Sequence, residues 1–216
     1  MVMESLSSNA KPKLIYIGDP MCSWCWGFAP VLEAVSQEFS LPVEVIVGGL
    51  RPGPEAQIMD DQLRSYLHRE WSRIHEATGQ PFDFAALDRE AWTYDTELPA
   101  MAIATMRAVD ASKTLDFFVR LQRAFYAENI DVTDPDAYPA LAAEFDIDGD
   151  SFTAQMLTED AKAAAWSDFA RSREMGIAGF PALVLRSGSR NRLLTYGYRP
   201  VDALRPIARS ALAEAD

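Results

Sequence analysis

"DPMCSWCWGFAP", residues 19–30, holds both cysteines of a 216-residue chain. Cys22 and Cys25 are separated by Ser23 and Trp24, and Trp26 follows directly. The stretch before them, "KLIYIGD" (13–19), is β-branched and aromatic and reads as a buried strand. The stretch after them carries Phe28, Val31, Leu32, Val35 and Phe39 at helical spacing. The thiol pair therefore falls where a strand hands over to a helix. In the first turn of that helix, Cys22 would face unpaired backbone N–H groups and the positive end of the helix dipole. Both favour a thiolate and predict a pKa below the free value of about 8.5. Cys25 lies one turn on, on the same face, close enough to attack a mixed disulfide on Cys22. Asp19, three residues before Cys22, adds negative charge that works against the thiolate. Pro30 removes a backbone donor inside the helical pattern and predicts a kink.

Outward from this stretch, "VEVIVGGL" (43–50) reads as a second strand closed by two glycines, and "RPGPE" (51–55) as a break. A long helical section follows. Leu63, Tyr66, Leu67, Trp71 and Ile74 form one apolar stripe over 60–78, stopped by Gly79 and Pro81. Helices are also predicted over 97–110, through Leu115, Phe118 and Tyr126, after an Asp134 cap with Pro135 in the first turn, and over 158–175 up to Gly176. "PALVLR" and "LLTYG" then read as two strands joined through "SGSRN", and "VDALRPIARSALAEA" closes the chain as a helix. The order is βαβ, a block of helices, then ββα. The Met101, Ile103 and Met106 stripe reads as helix core. "DIDGDSFTAQML" (146–157) has the acidity of a calcium loop but puts Gly149 in the fourth slot and Leu157 where a glutamate is needed. It reads as an acidic loop in which Asp150 or Ser151 caps the next helix.

Hydrophobic residues make up 49% and charged residues 24%, the balance of an ordinary folded chain with a sizeable core. A net charge of −12 repels phosphate backbones and anionic lipid, so neither nucleic acid nor a membrane is expected as a partner. "MVMESLSSNAKPK" has no apolar secretory core and no run is long enough to span a bilayer, so a cytoplasmic location is expected. In that compartment a lone CxxC is redox-active or metal-binding rather than structural. Zinc wants four ligands, and the other soft candidates, His68 and His75, stand seven apart on one helix flank facing solvent. Two inert buried thiols are the remaining reading. No metal and no cofactor is expected. Trp24 and Trp26 would supply apolar surface around the pair for a polypeptide or apolar substrate.

"YIGDPMCSWCWGFAP" resembles the active-site segment of DsbA-like members of the thioredoxin superfamily, in particular the cytosolic FrnE-type branch. "VEVIVGGLRPG" and "SREMGIAGFPALVL" are similar to its second strand and to the segment bearing its cis-proline. The resemblance implies a thioredoxin-like α/β core from residues 13–50 and 177–216. An all-helical insertion, 51–176, would form a lid over the CxxC end, and 1–12 a disordered tail. It implies that Cys22 is the nucleophile, Cys25 the resolving thiol, Pro181 the cis-proline and Phe180 a lining residue of the substrate groove. The expected activity is that of a disulfide oxidoreductase or isomerase acting on protein or small-molecule thiols, with glutathione and a homodimer as further partner expectations. The central dipeptide Ser-Trp lacks the histidine of strongly oxidising relatives. The kappa-class glutathione transferases and 2-hydroxychromene-2-carboxylate isomerases share the architecture but place a serine where Cys22 stands, and a non-catalytic metal-binding or redox-sensing module is a third reading.

Overall fold

A computed structural model of the chain describes residues 11–214, so the expected tail lies outside the described residues except for Lys11 and Pro12. The chain runs β1 (Lys13–Gly18), α1 (Ser23–Glu38) and β2 (Val43–Val47). It continues through β3 (Gln57–Ile58), α2 (Asp61–Thr78), β4 (Thr93–Tyr94), α3 (Glu97–Val109) and α4 (Thr114–Ala127). It ends α5 (Tyr138–Ala143), α6 (Gly149–Met156), α7 (Glu159–Glu174), β5 (Ala182–Ser187), β6 (Arg190–Tyr196) and α8 (Val201–Ala213).

Four strands form one sheet in the order β2-β1-β5-β6. The α1 crossover makes β1 and β2 parallel, whereas β5 pairs antiparallel with both β1 and β6. Side chains alternate between two buried faces, which is why the strands read as continuous apolar runs. Leu14, Tyr16, Val45, Val47, Leu183 and Leu185 join the larger core, with Phe28 and Leu32 of α1, Phe118 of α4 and Leu204 of α8. The same core runs on through Trp71, Phe117 and Phe125, so the helices between β2 and β5 share it with the sheet. On the other face Ile15, Ile17, Ile46, Ala182 and Val184 are covered by Ile177, with Met175 and Phe180 packed alongside.

The helix ends follow their sequence signals. Asp60 caps α2 by accepting from Leu63 N at 2.7 Å, and Gly79 ends it in the left-handed region at φ 74°. Thr158 caps α7, whose first turn carries Glu159 and Asp160 and whose last turn carries Arg171 and Arg173, complementing its dipole. At α6 the expectation needs correcting: the cap is Asp148, not Asp150 or Ser151, and it accepts from Ser151 N at 2.9 Å. Gly149, the first residue of α6, packs on the Pro139 backbone, where any Cβ would overlap. The section between β2 and β5 is also not wholly helical. β3 and β4 form a two-stranded ribbon, too short to leave an alternation in the sequence.

β2 is an edge strand, and two of its outer backbone groups are satisfied by side chains. Val47 N donates to Asp168 Oδ2 of α7 at 3.1 Å, and Arg107 Nη1 of α3 donates to Val45 O at 3.0 Å. Arg107 and Asp168 pair with each other at 2.7 Å. The ion pair closes the sheet edge and ties two helices to it.

Candidate active site

β1 ends against the CxxC segment, and α1 starts one residue after Cys22. Cys22 is the N-cap of α1, with extended backbone at φ −87° and ψ 114°, but its side chain makes no capping hydrogen bond. Its thiol instead donates to the carbonyl of Phe180 at 3.7 Å. The Phe180–Pro181 bond is cis. Pro181 O accepts from Gly197 N at 2.7 Å, which fastens this loop to the end of β6. The glycines closing β2 belong to the same site: a Cβ on Gly48 would overlap the Phe180 ring. The ends of β1 and β2 and the start of β5 thus meet at one edge of the sheet, as the parallel and antiparallel pairings require.

The two thiols differ in access. Cys22 is 7% exposed and Cys25 is 0% exposed. Burial pushes the Cys25 thiol well above its usual range and the neighbouring Cys22 pushes it further, while the Tyr16 hydroxyl and the Asp19 backbone pull it back. Three buried tyrosines surround the pair. Tyr94, from β4, donates its hydroxyl to Met21 O, one residue before Cys22. Tyr126, from α4, stacks on Trp26, and Tyr16 lies in β1. Burial raises all three hydroxyls above the ordinary tyrosine range.

Asp19 is wholly buried and bolts the CxxC turn to the loop after β2. Its carboxylate accepts from Met21 N and from Leu50 N, both at 2.8 Å. Burial pushes this carboxyl up to about 6, against the pull of those two N–H groups, the Thr96 hydroxyl and Arg51. In the unfolded chain it ionises near 3.9. The folded state therefore holds the extra proton between those values. The stabilisation is full below about pH 4 and is lost as pH rises through about 6. Two pKa units amount to about 3 kcal/mol. Urea unfolding between about pH 4 and pH 7 should show a loss of that order in the native protein and not in Asp19→Asn. Parallel profiles for the two proteins would refute the shifted carboxyl.

The expected groove residues divide. Trp24 is half-buried at the surface, 5.4 Å from the Tyr198 ring and under the Arg73 guanidinium at 5.3 Å. Trp26 does not line the site. It is 5% exposed, donates Nε1–H to Pro81 O at 3.0 Å and faces the helical section. The reason lies in Pro30, which has no N–H to offer the Trp26 carbonyl four residues earlier. Gln80 Nε2 donates to that carbonyl at 2.9 Å instead, so the 80–81 loop docks on α1 at this turn. An open groove behind α1, lined by Trp26, Pro30, Val119 and Arg120 among others, reaches neither cysteine. Tyr16, Tyr94, Gly48 and Tyr198 were not legible as site residues. Only the paired glycines after β2 carried a signal, as a place where backbone and side chain come close. Among the described residues no three His, Cys, Asp or Glu side chains group as metal ligands.

The sequence profile of the DSBA-like thioredoxin domain matches residues 15–206. The chain belongs to the DsbA-like thioredoxin family. Solved structures similar to it cover most of its length. A presumptive protein disulfide isomerase from Nitrosomonas europaea is 38% identical with a TM-score of 0.86, covering 95% of this chain and 99% of its own. The cytosolic disulfide reductase DsbM from Pseudomonas aeruginosa is 27% identical with a TM-score of 0.78, covering 94% and 99%. DsbM is also known in a structure with GSH. A curated relative, the ClpXP adapter protein SpxH of Halalkalibacterium halodurans, is 24% identical over 184 residues, which are 81% of this chain and 58% of that protein. The match thus spans less than two thirds of SpxH.

Proposed function

We propose that this DsbA-like chain is a thiol–disulfide oxidoreductase in which Cys22 exchanges with substrate and Cys25 resolves. The observation that carries the reading is the division of the pair: Cys22 keeps 7% of its surface exposed at the start of α1, and Cys25, one turn on, keeps none. In the reducing direction the Cys22 thiolate attacks one sulfur of a substrate disulfide and the other leaves as a thiolate. Cys25, as thiolate, then attacks Cys22 Sγ and releases the second substrate thiol. Two electrons pass from the dithiol to the substrate. The 180–181 backbone and the Trp24–Tyr198 pair offer the substrate a polar edge and an apolar wall.

Glutathione is the small thiol this site suits. Arg73 over Trp24 and Arg51 over Tyr94 place cationic groups beside the CxxC turn of a chain whose net charge is −12. Such groups match the carboxylates of a glutathione molecule, and the DsbM structure with GSH supports the same choice. The cytosolic description of DsbM supports a cytoplasmic setting for this chain. A redox titration tests the reading. The protein is equilibrated across glutathione and dithiothreitol buffers, its thiols are trapped by alkylation, and the mass is read. A reversible step from two alkyl groups to none is expected. Failure to form a Cys22–Cys25 disulfide at any poise would end the proposal.

A further inference from the structure

β1 carries one polar side chain, Tyr16, into the core on the face of the sheet that α1 covers. Tyr16 is 1% exposed, and its ring lies between Phe28 of α1, stacked at 6.2 Å, and Phe118 of α4, edge-on at 5.4 Å. Its direction is set by Gly18. A Cβ at that position would stand 2.7 Å from the Tyr16 hydroxyl, so the ring leans along β1 toward the strand's C-terminal end. α1 starts at that end. Cys25 stands three residues before Phe28, one turn nearer the helix start on the same face. A ring seated on Phe28 and leaning that way carries its hydroxyl toward the turn of α1 that holds Cys25. The hydroxyl is a donor toward the thiolate, and the two groups shift each other in opposite senses, the tyrosine up and the cysteine down.

We propose that Tyr16 is a catalytic hydrogen-bond donor to Cys25, holding its thiolate ready to resolve the mixed disulfide on Cys22. The proposal rests on the dithiol reading above. Burial alone would keep Cys25 protonated and slow, because only the thiolate attacks. The Tyr16 O–H replaces some of the solvation that burial removes. In the resolving step the Cys25 proton is lost and ends on the departing thiolate. The Cys25 sulfur bonds to Cys22 Sγ, the bond from Cys22 to the substrate sulfur breaks, and Tyr16 keeps its own proton throughout. In the reverse direction the same O–H stabilises Cys25 as the leaving group. Gly18 serves by leaving the hydroxyl its place.

Stopped-flow reaction of the reduced protein with Ellman's reagent separates the two steps. Cys22 releases a first thionitrobenzoate in a second-order phase, and Cys25 releases a second in a first-order phase. Tyr16→Phe should leave the first phase unchanged, slow the second tenfold or more near neutral pH, and move its pH midpoint upward. Gly18→Ala, which pushes the hydroxyl off Cys25, should reproduce the defect and keeps the test open if Tyr16→Phe does not fold. A second phase with native rate and midpoint in a folded variant overturns the proposal, as does equal slowing of both phases. Native protein that releases only one thionitrobenzoate, or none, would overturn the dithiol reading instead.

Discussion

Cys22→Ser is expected to abolish disulfide exchange, lowering the rate by at least about a thousandfold, because it removes the nucleophile on which both steps depend. Cys25→Ser should behave differently. Its Cys22 remains at the helix start with 7% of its surface exposed, so the first attack survives and the protein stalls as a mixed disulfide with its substrate. With glutathione disulfide as substrate, the stalled form carries one glutathione on Cys22, which intact-mass measurement reads directly. Turnover measured by coupled glutathione reduction should fall in both variants, but only Cys25→Ser should accumulate the adduct. The opposite pattern, with turnover kept in Cys22→Ser or the adduct on Cys25, would reverse the assignment of roles. The structural reason for the asymmetry is that Cys22 keeps some exposed surface beside the Phe180 carbonyl, whereas Cys25 has none.

Asp168→Ala carries the largest expected effect on stability. Asp168 is 6% exposed, and its carboxylate holds both Val47 N and the Arg107 guanidinium. Its loss leaves a backbone donor on the β2 edge without a partner and a half-buried cation without its counter-charge. Removing one member of such a pair costs about 3 kcal/mol. For a chain of this size that lowers the melting temperature by roughly 6–12 °C. Arg107→Ala should lose less, since the arginine is more exposed and Asp168 still accepts from Val47 N. Urea and thermal unfolding of the two single variants and the double variant measure the coupling. A loss under about 1 kcal/mol in Asp168→Ala would show that water replaces the pair at this edge.

Much of this architecture was readable residue by residue. The β-branched and aromatic run from Leu14 to Ile17 marked β1, the spacing of Phe28, Leu32 and Val35 marked the buried face of α1, and Gly79 and Gly176 marked the ends of α2 and α7. These are local signals, set by which side chains fall on one face of a strand or helix. The β3–β4 ribbon left none, since two residues per strand cannot show a period. The Asp148 cap was missed because Asp148, Asp150 and Ser151 are all good caps by composition. In the fold it is Asp148 that accepts from Ser151 N.

The tryptophans show the same division. Trp24 and Trp26 flank Cys25 symmetrically in the chain, and both read as apolar surface near the thiols. The fold sends one to Tyr198 and Arg73 at the rim and the other to Pro81 and Tyr126 inside. By itself, then, the sequence determined that two thiols stand at a strand-to-helix handover, three residues apart and on one helical face, because that follows from bond geometry within two turns of chain. Only the tertiary structure decided that Cys22 meets the Phe180 carbonyl from 158 residues away, that Asp19 reaches Leu50, and that the Tyr16 ring stacks on Phe28. Those contacts depend on the order and direction of strands in the sheet. That order is set by how two apolar faces are buried together, which no local period records.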